Sequence, residues 1–176
     1  PQNYQHKYRG FVSFREALVE SINIAAVKLI KKVGIKNTIK TAESMGISTF
    51  QPEDYLDTHY SLALGGLTKG VTPLEMASAY GVLANEGIRV QPFAISKILD
   101  KRDNVIYKAH PKKEIVLPKD TSYLITDMLE SVIKEGTGRS ANINRPVAGK
   151  TGTTNDHTNA WFVGYTPDLV TSVLIG

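Results

Sequence analysis

There is no cysteine among the 176 residues. That absence excludes disulfide bridges, thiolate catalysis and cysteine-held metal sites, while leaving the cellular compartment open. The histidines, His6, His59, His110 and His157, stand far apart without ligand spacing, so no metal is expected, and no other cofactor signature is present. Aromatic residues make up only 8% of the chain, and none interleaves with an arginine stripe, so nucleic acid is not an expected partner. No apolar run approaches the roughly 20 residues of a membrane-spanning helix. The longest, residues 22–27, is broken by Asn23 and ended by Lys28. The start, Pro1-Gln2-Asn3-Tyr4, has neither the initial methionine nor the charged and apolar regions of a signal peptide. The end, Leu174-Ile175-Gly176, falls inside an apolar run of strand character. Both ends therefore read as cuts within a longer chain.

What is present fits one domain with a real core. Hydrophobic residues are 41% of the chain, and the 22% that are charged are spread along it, so this is not a disordered composition. The net charge of +4 would suit an anionic partner such as a wall polymer or a membrane surface. It is more simply the mark of a solvated, lysine-rich surface.

Helix signals dominate the first half. Ser13-Phe14-Arg15-Glu16 has capping-box form and predicts a short helix to about residue 20. Ser21-Ile22-Asn23 interrupts it, with Asn23 as the expected N-cap of a helix over 24–33 that Gly34 stops. Another helix is expected over 37–45, closed by Gly46. Residues 47–70 read as irregular. Thr72-Pro73-Leu74-Glu75 combines a Thr cap, Pro at the first helical position and Glu at the third, and Gly87 ends the helix it starts. Segments 93–99 and 105–107 flank the turn Lys101-Arg102-Asp103-Asn104 as a hairpin. Pro118 precedes an amphipathic helix over 121–134, which Gly136-Thr137-Gly138 terminates. Strands are expected over 147–153, 160–165 and 169–175. Helices first and antiparallel strands last make an α+β fold rather than an alternating α/β one.

Gly149-Lys150-Thr151 invites comparison with a phosphate-binding loop. That motif needs a glycine five residues before Gly149 and a helix after it. Asn144 occupies the first place, Pro146 stiffens the segment, and Gly152-Thr153-Thr154-Asn155 is poor helix material. A nucleotide-binding enzyme is thus the weak reading. Read as Lys150-Thr151-Gly152-Thr153 on a strand, the same residues join Ser21-Ile22-Asn23 to match two of the three signatures of the penicillin-recognising serine enzymes. Taken alone, Ser21 and Asn23 are explained as helix caps, and the flanking sequence favours the other reading. Residues 9–18, Leu62-Ala63-Leu64-Gly65-Gly66, Val71 to Ala77, Gly136-Thr137-Gly138, and Gly149 to Asp156 followed by Ala160-Trp161-Phe162-Val163-Gly164-Tyr165 together resemble the transpeptidase domain of class A, bifunctional penicillin-binding proteins. The resemblance runs over nearly the whole chain.

It implies a penicillin-binding, serine β-lactamase-like fold of helices plus antiparallel sheet. The implied activity is a D,D-transpeptidase that cross-links peptidoglycan stem peptides through a serine acyl-enzyme, with β-lactams as mimics of the donor. Lys150 would attract the donor's terminal carboxylate and lower a neighbouring hydroxyl's proton affinity. Thr151 and Thr153 share one strand face by period two, and their hydroxyls suit a carboxylate. Gly152 leaves the strand edge bare for a peptide. By family analogy the Thr153 N–H is half of an oxyanion hole, Ser21 relays a proton to the leaving amine, and Asn23 holds the donor amide with one group and orients the nucleophile's lysine with another. Trp161 and Phe162 are expected as core aromatics.

Two features depart from the family pattern. The nucleophilic Ser-x-x-Lys should precede Ser21. The one formal match, Ser131-Val132-Ile133-Lys134, follows it inside an amphipathic helix and is read as coincidence. Asn159 stands where the family is expected to have Asp, which puts any charge role there in doubt. Residues 1–176 are therefore expected to be a partial transpeptidase domain. The nucleophile would lie upstream and further strands and a helix downstream, leaving this piece inactive without its upstream partner segment. The parent would be anchored at the outer face of the bacterial cell membrane. A non-catalytic β-lactam sensor or wall-binding domain of the same fold is the alternative.

Overall fold

The computed structural model describes residues 2–3, 8–51, 53–55, 57–154 and 159–176. The first helix, α1 (Phe14–Val19), starts where the Ser13 hydroxyl accepts the Glu16 N–H at 3.1 Å. Only that half of the expected box is realised, because the Glu16 carboxylate turns to Arg9 Nη1 at 3.2 Å. Helix α2 (Asn23–Val33) begins one residue earlier than expected, so Asn23 is its first helical residue and Ile22 its N-cap. An isoleucine side chain cannot cap. Asn3 does so instead, its Oδ1 accepting the Ile24 N–H at 3.1 Å. Helix α3 (Ile35–Met45) starts two residues before the expected point, directly after Gly34, and ends on Gly46 in the left-handed region.

The segment that reads as irregular is organised around one buried carboxylate. Asp57 is fully buried and accepts the N–H groups of Gln51 at 2.5 Å and Thr68 at 2.8 Å. Desolvation pushes its carboxyl up, and the bonds from Thr68 and Gln51 outweigh it, holding the group below its ordinary value. A 3₁₀ turn, Tyr60–Leu64, lies within this loop and packs on α2.

Helix α4 (Pro73–Ala84) has the full capping box on Thr72 and Glu75. Glu75 does more than cap. Its second oxygen accepts Ser48 N–H at 2.7 Å and Ser48 Oγ at 2.8 Å, tying the end of α3 to the start of α4. Partial burial pushes the carboxyl up, but the four hydrogen bonds from Thr72 and Ser48 bring it down from 4.5 to about 2. The folded value lies below the unfolded one, so this stabilisation is complete above pH 4.5 and fades as pH falls towards 2. Glu75→Gln is expected to cost about 1–3 kcal/mol at pH 7. In urea titrations at successive pH values, the gap between the two proteins should narrow with acid. A gap independent of pH would mean that the ionised carboxylate is not the source.

Short strands follow. β1 (Ile88–Val90) pairs antiparallel with β4 (Lys113–Ile115), and between them β2 (Lys97–Leu99) pairs with β3 (Val105–Lys108). The second pair is the expected hairpin with a shorter first strand. Asp100 accepts from the N–H groups of Arg102 and Asn104 at its turn. Helix α5 (Lys119–Glu135) runs two residues further back and one further on than expected. The last sheet has the order β5 (Ala148–Thr153), β6 (Ala160–Tyr165), β7 (Val170–Ile175), antiparallel throughout.

The core gathers one face from each layer: Val19 of α1, Leu83 of α4, Leu129 and Val132 of α5, Ala148 of β5 and Tyr165 of β6. Arg15 fastens α1 onto α5 by pairing with the Asp127 carboxylate and donating to Ser131 Oγ at 2.8 Å. Trp161 and Phe162, expected in the core, are only half-buried. Phe162 lies over the cross-strand pair Gly149 and Gly164. A Cβ on Gly149 would come within 3.1 Å of its ring, and one on Gly164 within 2.7 Å. The ring fills space that the glycines leave, which is a surface use of an aromatic on a strand.

Candidate active site

Helix α1 ends in a turn that aims a serine. The Ile22 N–H reaches Ala17 O at 2.9 Å and the Ser21 N–H reaches Leu18 O at 3.2 Å. This is the Schellman pattern, in which the residue after the cap is left-handed and usually glycine. Here it is Ser21, with φ of 52°. A side chain in that conformation costs about 1–2 kcal/mol. The strain sits where the hydroxyl is held out from the chain, and Ser21 Oγ accepts Lys150 Nζ at 2.9 Å, across 129 residues of sequence.

Lys150 lies on β5, packed beneath α5. Its ammonium also donates to Thr151 O at 3.0 Å. Burial pushes its proton affinity down, from 10.5 to about 8. Thr151 Oγ1 lies 2.7 Å from Thr137 Oγ1. Thr137 comes from the turn that ends α5, and its own N–H reaches Val19 O at 3.3 Å. Thus the turn 136–138 touches both the segment that carries Ser21 and the strand that carries Lys150.

Strand β5 is the first strand of its sheet, with β6 on one side only among the described residues. The Thr154 N–H is taken by Asn159 O at 3.1 Å. By the alternation of an antiparallel ladder, the Thr153 N–H then faces the open edge. Gly152 presents no side chain there, and a Cβ would meet only Trp161 Cβ, at 3.3 Å. A strand edge with one outward N–H, bare backbone, threonine hydroxyls and a poorly solvated ammonium beside a serine can hold an extended peptide by its main chain and its terminal carboxylate. It can also pass a proton.

Of the residues singled out from sequence, Ser21 and Lys150 meet directly, and Thr151, Gly152 and Thr153 continue the same edge. Asn23 sits two residues beyond Ser21, and its Nδ2 donates to Gln2 O at 2.9 Å. Ser131 and Lys134 do not form a pair. Ser131 Oγ takes Arg15 and donates to Asp127 O, while Lys134 turns to Glu130 at 2.6 Å. Asn159 meets Thr154 through its backbone on both sides of the hairpin. Asn155 and Asp156 of the quoted motif lie outside the described residues. Gly149-Lys150-Thr151 runs within a strand, not from a loop into a helix, which removes the phosphate-loop reading. No group of acidic or histidine side chains able to hold a metal occurs among the described residues. The cleft lined by Ala84, Thr126, Ala148 and Tyr165 lies at the far end of β5 and excludes both Ser21 and Lys150. Thr137, which meets Thr151 here, is not among the candidate site residues read from the sequence. The sequence signal is Gly136-Thr137-Gly138, which serves there as a helix terminator and as one segment of the family resemblance.

The family model of the penicillin binding protein transpeptidase domain matches residues 1–175. Penicillin-binding protein 1A of Aquifex aeolicus is 45% identical over 177 residues, covering 100% of this chain and 23% of that protein. The chain thus spans about a quarter of the length of that relative. The crystal structure of penicillin-binding protein 1A from Haemophilus influenzae superposes with a TM-score of 0.88 at 28% identity, covering 100% of this chain and 31% of the other. PonA1 from Mycobacterium tuberculosis in complex with penicillin V superposes at 0.85 with 28% identity, over 99% of this chain and 50% of the other.

Proposed function

The chain belongs to the penicillin-binding protein transpeptidase family, and on that footing we propose that it forms the substrate-holding half of a peptidoglycan D,D-transpeptidase site. The observation that carries the reading is the Lys150–Ser21 contact of 2.9 Å at the open edge of β5. The nucleophilic serine and its lysine come from a segment outside these 176 residues, as does any membrane anchor. Among the described residues no helix is long and apolar enough to cross a membrane. The assembled site faces the outside of the cell membrane, where peptidoglycan is built.

In this scheme the donor stem lies along β5, its terminal carboxylate drawn by Lys150 and by the hydroxyls of Thr151 and Thr153. The serine oxygen attacks the carbonyl of the D-Ala-D-Ala bond, and the oxyanion that forms is met by the outward Thr153 N–H. Collapse expels D-Ala, whose amine takes the proton delivered through Ser21. A second stem's amine then attacks the acyl-enzyme and frees the serine. Asn23 serves the donor amide by exchanging Gln2 O for a substrate carbonyl, an equal trade of one amide acceptor for another. β-Lactams enter by the same route, since their carboxylate and strained amide repeat the donor's groups.

Acylation of the full-length protein by a labelled penicillin, with the adduct located by peptide mass, tests the reading. The label is expected on a serine of a Ser-x-x-Lys segment preceding residue 1. Label on Ser131 would overturn the motif assignment. No label at all would leave the fold with a non-catalytic, wall-binding role.

A further inference from the structure

Thr137 stands outside the roles above, yet its hydroxyl meets that of Thr151 directly. The two oxygens are 2.7 Å apart, and either could donate. Thr151 has a single hydroxyl proton, and a carboxylate offers no proton of its own. For Thr151 to donate to a carboxylate, its proton must point outward, and the hydrogen bond to Thr137 must then be filled by the Thr137 proton. The arrangement has a direction only when a carboxylate is present.

The turn that carries Thr137 has little freedom to move. A Cβ on Gly136 would stand 2.6 Å from Val19 O and 2.9 Å from Val132 O, and one on Gly138 would stand 2.8 Å from Ile133 Cδ1. The Thr137 N–H is spent on Val19 O, two residues before Ser21. The hydroxyl is therefore delivered to β5 by backbone that is wedged between α1 and α5. We infer that Thr137 is a positioning residue for recognition of the substrate carboxylate: it donates to Thr151 Oγ1, turning the Thr151 proton towards the carboxylate held beside Lys150. This makes the site selective for ligands that end in a free carboxylate. The inference rests on the transpeptidase reading given above.

The test compares acylation of the full-length protein by a penicillin and by the same penicillin with its carboxylate esterified. Thr137→Val keeps the shape and removes the donor; Thr137→Ser keeps the donor. Thr137→Val is expected to lower the second-order rate constant for the free acid about tenfold, the order of one hydrogen bond to a charged group. Thr137→Ser should return it to within about twofold, and the ester should react with wild type and Thr137→Val equally within about twofold. Unfolding midpoints of the three proteins are measured alongside. An unchanged rate for the free acid in Thr137→Val overturns the inference. So does an equal loss for acid and ester, which would mark Thr137 as merely structural. Failure of the wild type to react with the free acid would overturn the transpeptidase reading, and the inference with it.

Discussion

Replacing Lys150 with alanine is expected to reduce penicillin acylation of the full-length protein by about a hundredfold to a thousandfold. This is the scale for removing one partner of a desolvated charge contact at a reacting centre. The loss should not come from instability. The half-buried ammonium is pushed down to about 8, against 10.5 as its ordinary value. Between those two pH values the unfolded chain binds more protons than the folded one, so stability rises with pH across that window. Below pH 8 the half-buried charge carries its whole desolvation cost. Lys150→Ala is therefore expected to unfold at pH 7 no earlier than wild type while losing acylation. The rate constant of the wild type should also fall as pH rises through about 8, because the cation that draws the carboxylate is discharged. A flat profile from pH 7 to 9.5 would mean that the charge of Lys150 is not what the ligand reads. Lys150→Ala acylated at the wild-type rate would remove it from the site altogether.

The largest expected effect on stability lies far from that lysine, at Gly87. This residue closes the turn after α4. Its N–H reaches Val82 O at 2.8 Å, and its carbonyl takes the N–H groups of Val116 and Leu117. Its φ is +90°, and a Cβ would stand 2.1 Å from Leu117 O and 2.9 Å from the carbonyl carbon. Neither side can yield cheaply, because the obstructing atoms are backbone and that backbone is hydrogen-bonded to Gly87 itself. Gly87→Ala is expected to cost about 3–5 kcal/mol, the upper range for single substitutions, with strain and overpacking acting together. Gly70→Ala is the control. Its φ is +70°, and nothing lies within 4 Å of the added carbon, so only the left-handed penalty of about 1–2 kcal/mol applies. Urea unfolding of both variants separates the two causes. Equal losses would show that the clash with Leu117 relaxes.

The elements that the sequence announced are those with local chemistry. Thr72-Pro73-Leu74-Glu75 made a helix start legible because every group in a capping box is within three residues of the others. The strands after Pro146 and the hairpin around Asp103 were legible for the same reason. Errors came where a partner distant in sequence intervened. Asn23 is the first helical residue and not the cap, and Asn3, 21 residues before Ile24, supplies the oxygen to the Ile24 N–H. The pairing of β1 with β4 went unread because three residues carry too little period to register. Asp57 looked like one more loop acid until the loop closed over it and left it without water. Phe162 has the composition of a core residue, and only the glycine pair beneath it explains why it can stay half-exposed.

From its residues alone the chain could be assigned an α+β fold, a run of helix boundaries good to a residue or two, and the two motif segments of its family. Those properties depend on side-chain type, on spacing and on hydrogen bonds that close within a few positions, all of which a linear string contains. The tertiary structure decided that Ser21 meets Lys150 across 129 residues, that burial pushes the lysine's proton affinity down, and that the Thr151 hydroxyl meets the hydroxyl of Thr137, from the turn after α5. Distance between remote segments and loss of solvent are sums over everything that packs around a group. No single stretch of sequence holds that sum; it exists only once α1, α5 and β5 have come together.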